Sequence, residues 1–290
     1  MAKSPSHKFG QIIGDLLEEI IEPQLRTFCQ ARGLYLDKKG KREGIRGGKK
    51  VSWTDKFGNE HDLDFVIEKD ATTKKIGRPV AFIEAAWRRY TKHSRNKAQE
   101  IQGAILPIYE KYEWDKPFLG AILAGVFTEG SLTQMRSSGF EVILFPYNSI
   151  VAAFASVGIN AAFDEETPDS DFEECISRIE AMDKKSWDAL KGHLINSNKP
   201  LLDQFFGHLQ ATLDRKIELV VLIPLHGKQN EFISIKEAIA FVTSYNENCT
   251  FDGRFRKYDV IIKYSNGDKI EGSFNNKEDA IKFLKYIDMG

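Results

Sequence analysis

The chain has 290 residues, 42% of them apolar and 29% charged, with a formal net charge of −1. That length can bury a substantial core in one large domain or two unequal ones. The near-neutral balance gives no ground for a polyanion partner, so any such partner must be argued from local clusters. Cys29, Cys175 and Cys249 fit no zinc or redox spacing, which suits a reduced, cytoplasmic protein. No stretch nears the roughly 18 apolar residues of a membrane span, and the N-terminus leads into an amphipathic helix rather than a signal-peptide core.

From about residue 7, Phe9, Ile12, Ile13, Leu16, Leu17, Ile20 and Ile21 recur at helical spacing and predict a first helix ending near Ala31. Gly10 and Gly14 within it point to close packing on a sheet. A glycine-rich loop follows, from Asp37 to Lys50, with seven positive and two negative residues. It suits either a solvated excursion or an arm along phosphates. Val51-Ser52-Trp53 predicts a strand, and the stretch from Asp55 to Asn59 a hairpin turn. Asp62-Leu63-Asp64-Phe65-Val66-Ile67 is the second strand, and Ala81-Phe82-Ile83-Glu84-Ala85-Ala86-Trp87 the third.

A long helix is predicted from Ser94 to Tyr112, with Ala98, Ile101, Ile105 and Ile108 on its buried stripe and Pro107 placed to kink or split it. Phe118 to Ala124 and Phe140 to Phe145 read as buried strands around a short helix from Ser131 to Ser137. Residues 151–214 read as helical throughout. Beyond them Arg215-Lys216-Ile217-Glu218-Leu219-Val220-Val221 is echoed by Arg256-Lys257-Tyr258-Asp259-Val260-Ile261-Ile262. Each copy runs through a glycine turn to a helix, so residues 215–290 are expected to form a tandem ββα module. Residues 1–150 form the first domain, a mixed sheet flanked by helices in an α/β (α+β) fold.

Asp62 and Asp64 share a face if the second strand is regular, and pairing with the third strand brings Glu84 beside them. Phe82 and Ala86 on Glu84's face argue that the carboxylate is covered, and covered carboxylates need partners. Three carboxylates at a sheet rim repel, and a hard divalent cation relieves that. The segment directly after Glu84 is basic: Trp87-Arg88-Arg89-Tyr90-Thr91-Lys92-His93-Ser94-Arg95-Asn96-Lys97. Acid for a metal beside base for a polyanion points to phosphodiester chemistry. Trp53 and Trp87 read as packing groups, and His61 and His93 as surface residues.

These residues resemble the PD-(D/E)xK nuclease superfamily, over roughly residues 7 to 150. The resemblance implies a restriction-endonuclease-like αβββαβ core. It implies a Glu at Glu84 and an Asp at Asp64 or Asp62, binding Mg2+ with Mn2+ as the alternative; Asp64 is favoured because it directly enters the apolar run. The motif's proline is absent, and Ala86 stands at its lysine position. Lys97, on the next helix's buried stripe, is the expected substitute, with Lys92 and Arg88 behind it. An auxiliary acid is expected at Glu18 or Glu19. The implied activity is magnesium-dependent DNA endonuclease cleavage of the restriction type, working as a homodimer. Arg88, Arg89, Lys92, Arg95, Lys41, Arg42 and Arg46 are the expected DNA contacts. A repair or recombination nuclease reading DNA structure, and a non-catalytic nucleic-acid-binding protein, are the rival readings. The residues do not exclude RNA.

Overall fold

The computed structural model describes residues 4–90, 94–224, 228–248 and 255–289. It divides into two compact units, Met1–Lys111 with Pro117–Leu209, and Tyr112–Lys116 with Gln210–Gly290. The helical stretch 151–214 belongs to the first unit as far as Leu209.

In the first unit, α1 (Pro5–Gln30) opens with the Ser4 hydroxyl accepting from the His7 amide, an N-cap that satisfies one otherwise free donor. Then come β1 (Tyr35–Lys38), β2 (Val51–Thr54), β3 (Glu60–Leu63), β4 (Phe65–Lys69) and β5 (Arg78–Arg88). They are followed by α2 (Ser94–Lys111), β6 (Phe118–Gly125), α3 (Glu129–Ser137) and β7 (Phe140–Pro146). Five strands form a mixed sheet in the order β1-β4-β5-β6-β7. β1, β4 and β5 pair antiparallel, while β5, β6 and β7 are parallel.

Two expectations need correction here. The first strand of the sheet is β1, whose last two residues, Asp37 and Lys38, the sequence assigns to the glycine-rich loop. Val51–Thr54 instead pairs only with β3, as a separate two-stranded hairpin. The acidic second strand is also not continuous: it breaks at Asp64, so β3 serves the hairpin and β4 the sheet. The hairpin turn itself is as expected, with Asp55 accepting from the amides of Phe57 and Asn59. Pro107 lies inside α2 without ending it.

The crossover helices α2 and α3 pack on each other, on one face of the sheet. On the other face α1 lies over β1 and β5, and α4 (Tyr147–Ala155) over β6 and β7. Around them α5 (Asp169–Glu180) packs on α1, and α6 (Lys184–Ser197) on α1 and α4. From α7 (Lys199–Leu213), Phe205 meets the Phe118 ring at 5.3 Å, edge on. Gly125 closes β6 at φ +97°, where an added Cβ would lie 2.0 Å from the Arg88 carbonyl and 2.6 Å from the Trp87 ring. Only glycine fits that approach.

The loop between β1 and β2 is tied down from within. Arg42 is 3% exposed and donates to Glu68 Oε1 at 2.5 Å, to Asp37 Oδ2 at 3.0 Å, and to the carbonyls of Thr72 and Lys75. Its guanidinium lies 4.2 Å over the Tyr35 ring. Arg46 makes a bidentate pair with Asp37, both bonds at 2.7 Å. Glu68 also accepts from the Gly77 amide.

The second unit contains β8 (Ile217–Pro224), β9 (Asn230–Phe232), α8 (Ile235–Ser244), β10 (Tyr258–Tyr264), β11 (Lys269–Phe274) and α9 (Lys277–Asp288). Its sheet runs β11-β10-β8-β9, all antiparallel. Each copy of the repeat forms a hairpin and a helix, capped by Ser234 in one and Asn276 in the other. In the register Val220 faces Ile262 and Val221 faces Ile261. Since Val220 corresponds to Ile261 and Val221 to Ile262, exchanging the copies turns one pair into the other. The two units of the repeat are therefore related by a local two-fold axis and share one core.

Replacing Arg42 by Ala should leave Glu68 and Asp37 charged, buried and short of a partner. A loss of about 3–5 kcal/mol is expected, read from urea denaturation, whereas exposed Lys41→Ala should stay within about 0.5 kcal/mol.

Candidate functional site: a buried carboxyl pair

The β4–β5 ladder reaches its last pair at Phe65 and Ile83. Beyond it, carboxylates take the backbone donors that a longer ladder would have used. The Asp64 amide donates to Glu84 Oε1 at 3.0 Å, and the Ala85 amide donates to Asp64 Oδ2 at 2.8 Å. Each acid is thus fixed by the backbone of the other's strand. Glu84 is 8% exposed, and it continues the sheet's cross-strand row to Ala121 and Val142.

Burial raises the pKa of Asp64, opposed by the Ala85 amide, a hydrogen bond with Glu84 and the charge of Lys97. Burial pushes Glu84 well above the ordinary carboxyl range, and the charge of Asp64 pushes it further. The hydrogen bond between the two carboxyls lowers the pKa of Asp64 and raises that of Glu84. Two carboxyls this close titrate as a unit rather than one by one.

Two helices and a loop complete the surroundings. Glu18 on α1 is half-buried, and its pKa is raised by burial and then by the charge of Asp64. Glu19, the alternative to Glu18, instead accepts from the Trp187 indole at 2.8 Å. Lys97, in the first turn of α2, has a side chain 23% exposed and lowers the pKa of both Asp64 and Glu84. Its ammonium lies 3.3 Å from Glu100, and Arg88 reaches the same carboxylate at 3.5 Å. Ala86, at the motif's lysine position, is buried.

Asp62 does not join the group. Its side chain is 46% exposed and holds Lys50 and the Ser52 hydroxyl across the hairpin. The break at Asp64 removes the strand alternation that placed the two aspartates side by side. Among the described residues no three Asp, Glu, His or Cys side chains gather as a metal cluster.

Several expected phosphate contacts are corrected too. Arg42 and Arg46 are spent on Asp37 and Glu68 inside the loop. Arg89 is stacked over the rings of Tyr90 at 4.2 Å and Phe172 at 4.4 Å. Lys41 and Arg95 are exposed, and Lys92 lies outside the described residues. A cation that sequence reasoning passed over is Lys39, whose charge acts on both Glu18 and Asp64. It follows β1 directly, so recognising that strand would have placed it opposite Asp64. The described cysteines, Cys29 and Cys175, are buried, with thiols pushed up to about 12 and about 11; neither is a ready nucleophile.

No protein-family model and no curated protein matches the chain. Among solved structures it is similar to the crystal structure of a protein of unknown function, AF1548. The identity is 11%, covering 68% of this chain and 94% of that one, with a TM-score of 0.30. A likeness of that size carries no weight for fold or activity. No helix among the described residues is long and apolar enough to cross a membrane.

The raised acids have a thermodynamic consequence. The folded state holds protons that the unfolded chain has already released, so stability falls as pH rises from the ordinary carboxyl range through the folded pKa values. Each unit of elevation corresponds to about 1.4 kcal/mol. Glu84→Gln keeps the acceptor for the Asp64 amide and removes the titration. It should therefore flatten the fall in urea midpoint between pH 5 and pH 8; an unchanged fall would contradict this origin.

Proposed function

We propose that the chain is a metal-dependent DNA endonuclease on the PD-(D/E)xK plan. The observation carrying this is the Asp64–Glu84 pair, held between neighbouring segments of the sheet with a lysine charge beside it. Element order supports it: α1, β1, β4, β5, α2 and β6 read αβββαβ, with the β2–β3 hairpin inserted after the first strand. A raised pKa in a paired carboxyl group is also a common mark of a functional site.

Mg2+ is commonly bound through one or two carboxylates while keeping several waters, and the two carboxylates here fit that demand. Asp64 and Glu84 would hold the ion, with Glu18 contributing negative charge nearby; Mn2+ takes the same oxygen donors. When bound, the ion supplies charge neutralisation at the phosphate and a more acidic water. The protein's own part is positioning. The amides of Asp64 and Ala85 fix the carboxylates before substrate arrives, so little reorganisation is needed at reaction. The Lys97 ammonium, released from Glu100, stabilises negative charge at the phosphate. Lys39 adds a second positive charge acting on Asp64. Restriction-type cutting goes with a symmetric homodimer on a palindromic site, and that assembly is part of the proposal.

Digestion of plasmid and phage DNA in magnesium is the test. Asp64→Asn and Glu84→Gln should each slow cutting by about 100-fold or more, and Lys97→Ala by about 100–1,000-fold. Glu84→Gln cutting as fast as wild type would overturn the proposal. Discrete fragments identify a restriction enzyme, and cutting confined to branched, damaged or single-stranded DNA identifies a repair nuclease. Binding without cleavage leaves a non-catalytic DNA-binding protein.

A further inference from the structure

Between the β1–β2 loop and the β2–β3 hairpin lies a cavity of about 420 Å³. Arg42 and Arg46 line its buried end, already engaged with Asp37. Ile45, Trp53 and Ile76 supply an apolar side. Ile76 is 52% exposed although it lines a hollow, and Trp53 is 7% exposed. Lys49 is exposed and has no ion pair among the described residues. Of the four cations on its lining, Arg42 and Arg46 are held by Asp37 and Glu68 and Lys50 by Asp62, which leaves Lys49.

A hollow of this volume is at the lower end of the range for small-molecule sites. It suits one nucleotide and is too small for stacked base pairs. An apolar side beside a free ammonium matches a base and its phosphate, since unstacked bases are held by apolar and aromatic faces. The cavity adjoins the acid pair along the chain. Ser52, also on its lining, pairs with Asp62, two residues before Asp64.

We propose that this cavity takes a single unpaired nucleotide, its base against Ile45, Trp53 and Ile76 and its phosphate on Lys49. The choice of nucleic acid as ligand rests on the nuclease reading above. The site would select DNA with an unpaired position near the scissile phosphate.

Anisotropy titrations without divalent cation test it, using a labelled duplex with one unpaired 2-aminopurine and the fully paired duplex of the same sequence. Wild type should bind the unpaired DNA about tenfold or more tighter, with a change in 2-aminopurine fluorescence. Ile76→Glu and Lys49→Ala should remove that preference and the fluorescence change, while affinity for paired DNA moves less than about threefold. Both positions are exposed, and an unchanged melting temperature checks the fold. Equal affinity of wild type for the two DNAs, no binding of either, or full preference in Ile76→Glu overturns the proposal. Cleavage in magnesium separates the two ideas. Cutting of paired DNA undiminished in Ile76→Glu, with no preference in wild type, removes the pocket and keeps the nuclease. A preference lost in Ile76→Glu, with wild type never cutting, keeps the pocket and removes the nuclease.

Discussion

Two carboxyl groups withdrawn from water repel each other and lose solvation, and a fold holds them together only by supplying donors in compensation. Here the donors are backbone amides, one from each segment, at the point where the β4–β5 ladder stops. The bend at Asp64 follows from this. A regular ladder would consume the amides that the acids require, so the second strand breaks where the carboxylates begin. The hairpin, the inserted loop and the first turns of α2 are arranged around that interruption.

The positive charges divide by a similar logic. A run of cations on a glycine-rich loop suggests a surface for phosphates, yet its two arginines point inward. A guanidinium offers five donors in a fixed fork, enough for Arg42 to satisfy two carboxylates and two carbonyls at once. A lysine could not cover that geometry. The loop is consequently pinned by its arginines, leaving Lys39, Lys41 and Lys49 to face outward.

Much of this was legible in the sequence. The helix of Phe9 to Ile21, the buried runs of β6 and β7 and the tandem ββα module follow from periodicity and repetition, because those elements bury whole faces. The proximity of Asp64 and Glu84 was legible from strand order, and Lys97 from its place on the α2 stripe. Strand β1 was not, because four residues between a helix and a charged loop carry too little pattern to declare themselves. Missing it put Val51-Ser52-Trp53 into the sheet and hid Lys39. Asp62 misled for another reason: alternation predicts faces only while a strand stays continuous. The arginines misled because composition records charge and not direction.

The two-fold relation within the second unit has a consequence for its rims. Half of the module by itself would leave the flank of its first strand unsatisfied and its helix covering half a core, so separate halves would have to associate and would come apart on dilution. Covalent fusion removes that dependence and frees each half to drift. The drift is visible: β9 is three residues long, whereas its counterpart β11 is six. The two outer rims of the module are therefore unequal, a short strand on one side and a strand of twice its length on the other.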